Sequence, residues 1–144
     1  MMARVVPRRL RDERGTIAAE LAVAAPVLLA LMMLVVLAGR VSQAESDVRS
    51  AAGEAARAAS LRADPDVAAA DAESIAASNL ATSGVACASL ETQVDTSEFR
   101  PGGWVTVTVR CTAAMSDVAL LGVPGSRAFE ASVTEVIDRF RGGS

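Results

Sequence analysis

Glu20 is a single carboxylate inside a long uncharged stretch of the chain. No other charged residue occurs from Thr16 to Gly39, a run of 24 residues, and Glu20 lies five positions after Gly15. A carboxylate in hydrocarbon is costly, by about 2–3 kcal/mol or more near the middle of a membrane. An apolar segment that carries one near its start needs a physical reason for it, and that reason bears directly on function.

Cys87 and Cys111 are the other residues whose type could do chemistry. The chain has no His, Lys or Tyr, and all fourteen basic residues are Arg. Without His there is no Ser-His or Cys-His nucleophile pair and no imidazole ligand, and two cysteines alone do not complete a structural zinc site. A sequence pI of about 5.0 and the lack of a basic patch with aromatic residues argue against nucleic acid binding. We therefore expect no enzyme, no catalytic residue, no metal or other cofactor, and no nucleic acid partner.

Charge is distributed unevenly about the apolar stretch. Residues 1–15 carry five Arg against two acids, a side-chain charge of +3, whereas residues 16–144 carry nine Arg against fifteen acids, a charge of −6. A short basic segment before an apolar run stays in the cytoplasm by the positive-inside rule. A helix over residues 16–39 is about 36 Å long and can cross a hydrocarbon core of about 30 Å. The sequence thus predicts a cytoplasmic leader (1–15), a transmembrane helix in membrane lipid (16–39), kinked or loosened near Pro26, and an exported domain (40–144).

Three interpretations of the apolar segment are open on these grounds. The first is a plain signal anchor that holds an exterior domain with some other binding role. The second is a cleaved signal peptide, because "VSQA" (41–44) offers small residues before a cut that would leave Glu45 first. The apolar run is longer than the core of about 7–15 residues typical of signal peptides, and Glu20 disfavours that interpretation further. The third is a processing signal, in which a basic leader ends in Gly15 and a carboxylate occupies the fifth position after it.

The third pattern resembles the processing signal of type IV prepilins. "RGTIAAELAVAAPVLLALMMLVV" (14–36) is similar to the variant of the TadE family, and "WVTVTVRC" (104–111) and "ASVTEVIDRFRG" (131–142) are similar to the C-terminal part of TadE-like minor pseudopilins. The resemblance implies a structural subunit of a Tad (tight adherence) pilus or secretion apparatus, held in the cell membrane and, once in a pilus, outside the cell. It further implies that a membrane prepilin peptidase cuts after Gly15, so that Thr16 becomes the first residue. The implied partners are other pilin and pseudopilin subunits and the pilus assembly platform.

Under this resemblance, Glu20 is an assembly residue. Cleavage would give Thr16 a new α-amino group near the cytoplasmic face. Glu20 of a neighbouring subunit, or of the same chain one helical turn away, can pair with that cation. Because an unpaired carboxylate is costly in a low dielectric, such pairing favours one axial register of the subunits.

Helical periodicity continues beyond the apolar stretch. Small apolar residues recur at helix spacing at Ala44, Val48, Ala51, Ala55 and Ala59. This pattern predicts one long helix from about residue 16 to residue 62. We expect its small apolar stripe to pack in the core of its own domain rather than on another subunit.

A second helix is predicted from its start and stop signals. Asp64 is a good N-cap, Pro65 fits the first helical position, and Asp66 favours the positive end of the helix dipole. Gly84 fits the C-terminal cap.

From Ala86 onward the apolar period changes to two, which is typical of strands. The turn residues of "DTSEFRPGG" (95–103) lie between two such segments and predict an antiparallel hairpin. The strand segments are "ASLETQV" (88–94), "WVTVTVRC" (104–111) and "RAFEASVTEVI" (127–137), the last entered through the turn "VPGS" (123–126), with a short helix or hydrophobic loop at "SDVALLG" (116–122). The expected fold class is α+β, with a long N-terminal transmembrane helix, a second helix and a small three-stranded antiparallel sheet.

Cys87 and Cys111 flank the predicted hairpin. Outside the membrane a disulfide between them is permitted, and closing a loop of this size would stabilise a thin core by about 3 kcal/mol. Two buried free thiols are the alternative.

The register of the hairpin is left open by the sequence. Opposing the two cysteines directly centres the hairpin on residue 99 but sets polar residues of the first strand against valines of the second. A register shifted by one pairs apolar residues instead, Leu90 with Val109 and Val94 with Val105. A β-bulge near Cys87, or a cysteine just beyond the ladder, would reconcile the two.

Overall fold

The computed structural model describes residues 12–114 and 125–140, with side chains for residues 17–113 and 125–140. Two helices are followed by three strands: α1 (Asp12–Ser60), α2 (Pro65–Ser83), β1 (Cys87–Asp95), β2 (Trp104–Ala114) and β3 (Ser126–Val136). The strands form one antiparallel sheet in the order β1-β2-β3. The predicted α+β fold is therefore confirmed. The predicted segment at 116–122 and the first two residues of the turn at 123–126 lie outside the described residues.

α1 begins at Asp12 and ends at Ser60, whereas the sequence predicted a helix from about residue 16 to residue 62. Gly15 therefore lies inside the helix rather than ahead of it. A Gly in a helix interior costs only about 1 kcal/mol relative to Ala, which a long helix tolerates. Pro26 is also inside α1, and the helical backbone continues on both sides of it. The kink expected there stays a prediction.

The hydrophobic core lies in the second of two units into which the chain divides between Arg40 and Val41. The predicted stripe of α1 packs in this core, which confirms the expectation for it. The buried residues of α1 are Val48, Ala51, Ala52, Ala55, Ala56 and Ala59, and they form one cluster with Ala68, Ala72, Ala76 and Leu80 of α2, Val105, Val107, Val109 and Cys111 of β2, and Phe129 of β3. Because an alanine side chain is one methyl group, this core has little volume and depends on close approach of the helix backbones.

The predicted start and stop of α2 are confirmed by its caps. The Asp64 carboxylate accepts hydrogen bonds from the backbone amides of Asp66 (2.8 Å) and Val67 (3.1 Å). Pro65 occupies the first helical position, where its missing N–H has no partner to lose. Gly84 ends the helix in the left-handed region, at φ 77°.

The sheet buries one face and exposes the other. Along β2 the odd-numbered side chains are buried against the helices, and Thr106 and Thr108 lie on the opposite, outer face. Their hydroxyls form hydrogen bonds with the hydroxyls of Thr134 (2.8 Å) and Ser132 (2.9 Å) on β3. The alternation of "WVTVTVRC" thus assigns the two faces correctly.

The register of the β1–β2 hairpin differs from both predicted registers. Leu90 is opposite Cys111 and Val94 is opposite Val107, so each is displaced by two residues from the partner expected for it. Leu90 and Val94 still lie on the inner face, as the apolar pattern required. Both predicted registers were wrong because they placed the centre of the hairpin in the middle of the predicted loop.

The Pro-Gly-Gly end of the loop is bound to β3 rather than to β1. The amide of Gly102 donates to the carbonyl of Ile137, and the amide of Ile137 donates to the carbonyl of Gly103, both at 2.9 Å. Gly102 has φ 77°, and a Cβ at Gly103 would collide with the carbonyl oxygen of Glu98, so both positions require glycine. These contacts extend the β2–β3 ladder into the loop. More of the unpaired loop therefore follows β1 than precedes β2.

Asp95 closes the other end of this loop. Its carboxylate accepts a hydrogen bond from the backbone amide of Ser97 at 2.9 Å, and that bond lowers the pKa of the Asp95 carboxyl. Because the pKa is lowered, the contact is present at neutral pH and is lost only when the carboxyl protonates in acid.

A disulfide joins Cys87 to Cys111 across the hairpin, with the two Cα atoms 5.4 Å apart. In the ladder, Cys87 is opposite Ala113, and the register shifts between Cys87 and Ser89. Without this bulge, Cys87 and Leu90 would be on opposite faces, because they are three residues apart. The bulge brings both to the inner face, where Cys111 is buried. Of the two arrangements that the sequence left open, a β-bulge near Cys87 or a cysteine beyond the ladder, the structure has the bulge.

We expect Ala55→Leu to lower the free energy of unfolding by about 1–3 kcal/mol, because a larger side chain must force apart an already close-packed core. Denaturant unfolding of the full chain in detergent, followed by Trp104 fluorescence, measures this change. Glu54→Leu is the matched control, since the adjacent Glu54 side chain is exposed. Equal stability of the two variants would contradict the packing described for α1.

Replacing both cysteines by alanine should lower the free energy of unfolding by about 3 kcal/mol, because the unfolded chain regains the entropy of an open loop. Membrane insertion should be unchanged, since the apolar segment does not contain the bridge. Mass analysis of unreduced peptides from the parent chain should recover Cys87 joined to Cys111. Ready alkylation of both thiols without reductant would refute the bridge.

Candidate functional site

The first unit presents apolar side chains on every side of α1. From Ile17 to Val36 the large apolar side chains are 47–72% exposed. A helix that is apolar all round is stable only where lipid or protein covers it. Among the described residues, α1 is the one helix long and apolar enough to span a membrane, with a mean hydropathy of 2.8 in its most apolar window. This assignment rests on length and composition, which N-terminal signal sequences share.

Glu20 is an exposed carboxylate within this apolar surface. In the part of the chain whose side chains are described, no residue forms a hydrogen bond or an ion pair with Glu20. If the Glu20 carboxylate is to be buried, its partner has to come from another molecule or from the start of α1. A carboxylate in this position can bind a cation or accept hydrogen bonds, and among the described side chains no acid or base lies beside it.

Gly15 and Thr16 lie in the first turns of α1, directly before the described side chains begin. Residues 16 and 20 are four positions apart, about one helical turn, so their backbones lie on the same side of α1. A positive charge on the backbone nitrogen of Thr16 would therefore be within reach of the Glu20 carboxylate. In the uncut chain that nitrogen is an amide and carries no charge.

The second unit has a pocket that sequence reasoning missed. It has a volume of about 330 Å³ and is lined by Leu61, Arg62, Ala63, Phe99, Arg100, Pro101 and Ile137. Its residues come from the connection between α1 and α2, the hairpin loop and the residue that follows β3. No local motif signals such a pocket, because it depends on the loop register that the sequence left open.

The pocket does not have the chemistry of an active site. Arg62 pairs with the carboxylate of Asp71, and Arg100 pairs with Glu98 at 2.6 Å, so both guanidinium groups are engaged within the domain. The remaining lining is apolar. Among the described residues no cluster of three or more His, Cys, Asp or Glu side chains could hold a metal ion.

The comparisons with known proteins bear on the first unit and the start of the second. Residues 15–57 match the family described as TadE-like protein. No curated protein and no solved structure matches the chain. The matched segment begins at Gly15 and includes Glu20, the apolar run and most of the alanine stripe of α1.

The TadE-like family is a structural family associated with the Tad pilus, rather than a family of enzymes. The C-terminal segments 104–111 and 131–142 lie outside the match, so their similarity to the family stays a prediction. For the N-terminal segment the resemblance inferred from the sequence is confirmed, because residues 15–57 are similar to the TadE-like family.

Proposed function

We propose that this chain is a minor pseudopilin-like structural subunit of a Tad-type pilus or secretion apparatus. A prepilin peptidase cuts it after Gly15, which removes the cytoplasmic leader (1–15). Residues 16–39 cross the cell membrane once, and residues 40–144 form the exported domain. The processed subunit then binds other pilin and pseudopilin subunits at the pilus assembly platform.

The observation that carries this proposal is the position of the family match. It begins at Gly15, the residue after which the peptidase would cut, and it contains Glu20 at the fifth position beyond. The same segment is an apolar helix whose side chains are exposed on all sides, as expected of a helix that packs in lipid or among other helices. A generic anchor accounts for the apolar surface but gives no role to the carboxylate.

The charge distribution and the disulfide support the proposed topology. A leader with a charge of +3 favours a cytoplasmic N-terminus, and the acidic remainder lies outside. Disulfides persist in oxidising compartments and are rare in the cytosol. The bridge between Cys87 and Cys111 therefore fits a domain on the outer side of the membrane.

Glu20 is the residue that we assign to assembly. The α-amino group that cleavage creates at Thr16 is a cation at the start of an apolar helix. Pairing between this cation and a Glu20 carboxylate satisfies both charges in a low dielectric, whereas a wrong axial register leaves both unsatisfied. The alternative function is a signal-anchored exterior domain with a binding role outside a pilus, and it predicts no such pairing.

Gly15→Leu should block maturation, because the peptidase site must accept a small residue before the cut. N-terminal sequencing of the membrane-extracted protein should find Thr16 first in the parent and an uncut leader in the variant. Gly39→Leu is the matched control, since a Cβ added there meets no atom within 4 Å. It should be processed normally.

Two results of the sequencing would overturn the processing step. A parent chain that begins at Glu45 is a cleaved signal peptide product. A parent chain that retains its leader in a strain with active prepilin peptidase is a plain anchor.

Glu20→Ala should weaken or abolish assembly while leaving cleavage after Gly15 intact. The amine of Thr16 loses its acidic partner, so no axial register is favoured, whereas insertion becomes slightly easier without the charge. Glu20→Asp, one methylene shorter, should restore assembly only in part. The measurement is pilus or complex formation at matched membrane levels of each variant.

Glu45→Ala is the control, because it removes an exposed carboxylate of α1 beyond the apolar run. It should assemble like the parent. Full assembly of Glu20→Ala would remove the carboxylate from the assembly mechanism and favour the plain anchor.

A further inference from the structure

β3 is an edge strand of eleven residues whose outer edge is unpaired in the described part of the chain. The sheet order places β2 on one side of β3, and no described strand lies on the other. Long unpaired edges are templates for another strand, and proteins that avoid such pairing place Pro, a bulge or charged side chains there. β3 contains no Pro, its ladder with β2 is regular from Ser126 to Val136, and its two inner-side charges, Arg127 and Glu135, are of opposite sign.

The outward backbone groups of β3 belong to its even-numbered residues. The amide of Ile137 donates to Gly103, so the backbone of Ile137 points toward β2. Because this direction alternates along an antiparallel strand, the odd residues of β3 bond to β2 and the even residues point away from it. A partner strand would therefore bond to residues 126, 128, 130, 132, 134 and 136.

Two opposite charges near the ends of β3 have no ion-pair partner among the residues that the structure describes. Arg127 stacks on the ring of Phe129, with Cζ 5.7 Å from the centroid. Neither Arg127 nor Glu135 forms an ion pair with any other described residue. Both belong to the inner side of the strand, and each is four residues from Ala131, the middle of β3.

We propose that β3 pairs with β3 of a second copy of this chain, antiparallel about a two-fold axis at Ala131. This register pairs all eleven residues, since Ser126 then lies opposite Val136. It sets Arg127 of each copy opposite Glu135 of the other, which gives two ion pairs. Directly opposed side chains in such a ladder have Cβ atoms about 4.5–5.5 Å apart, within reach of an ion pair.

No other register of this symmetry matches the charges. An axis perpendicular to the sheet pairs residues of the same face, so Arg127 can oppose only odd-numbered residues of β3. Glu135 is the one acid among them. The register that pairs the full length of β3 is therefore also the register that pairs its opposite charges.

Charge exchange tests this proposal with the full chain in detergent. The parent should show a concentration-dependent monomer–dimer equilibrium in sedimentation or light scattering. Arg127→Glu and Glu135→Arg each replace two attractions with two repulsions, so each should raise the dissociation constant about tenfold or more. The double variant should dimerise like the parent.

A mixture of the two single variants is the decisive arm. Each copy of Arg127→Glu meets two Arg on a copy of Glu135→Arg, so the mixture should form heterodimers about as tightly as the parent forms dimers, although each variant alone dimerises about tenfold or more weakly. Arg49→Glu, an exposed charge reversal on α1, should dimerise like the parent. A monomeric parent, single variants that dimerise like the parent, or a mixture without heterodimers would each overturn the proposal, provided that the variants retain the parent's circular dichroism.

Discussion

The apolar surface of α1 between Ile17 and Val36 has to be removed from water, and this requirement decides in which surroundings the folded chain is stable. Covering one side chain of the size of Leu or Val is worth about 1.5–3 kcal/mol. Twelve large apolar side chains are exposed in this segment. Their sum exceeds the net stability of an ordinary domain, which is about 5–15 kcal/mol. Cover by lipid or by other helices is therefore a condition of the folded state.

The same helix meets the requirement differently after Val41, where its apolar stripe is covered by its own domain. That stripe consists almost entirely of alanine, so each residue contributes little buried area and the elements must approach closely to exclude water. The second unit has about a hundred residues, and the whole chain has four aromatic side chains, so this core buries few large groups. Its free energy of unfolding therefore has little reserve. The bridge from Cys87 to Cys111 adds a stabilisation that does not depend on core volume.

Periodicity and cap chemistry predicted most of the fold, because both are local. Asp64, Pro65 and Gly84 fixed the ends of α2, and the alternation in "WVTVTVRC" assigned the faces of β2. The hairpin register was missed because Gly102 and Gly103 bond to Ile137, a contact across 35 residues that no local pattern encodes. The pocket was missed for the same reason. For the site, the sequence singled out Glu20 and Gly15 by charge and spacing, and under the proposed function their partners belong to other molecules, which the geometry of one chain does not contain.

Under the proposed function, the free-energy cost of burying the Glu20 carboxylate without a partner is what favours one register of the subunits. Along a uniformly apolar helix, sliding one subunit past another by a turn changes the energy little, because Leu, Val and Ala meet similar surroundings in every register. Buried ion pairs add little net stability, since desolvation offsets much of the attraction. Removing one partner, however, leaves an uncompensated charge and costs about 3–5 kcal/mol. A single carboxylate therefore penalises every register except the one that supplies its cation. Its position near the helix start keeps this penalty small in the unassembled subunit, where the side chain can still reach the membrane surface.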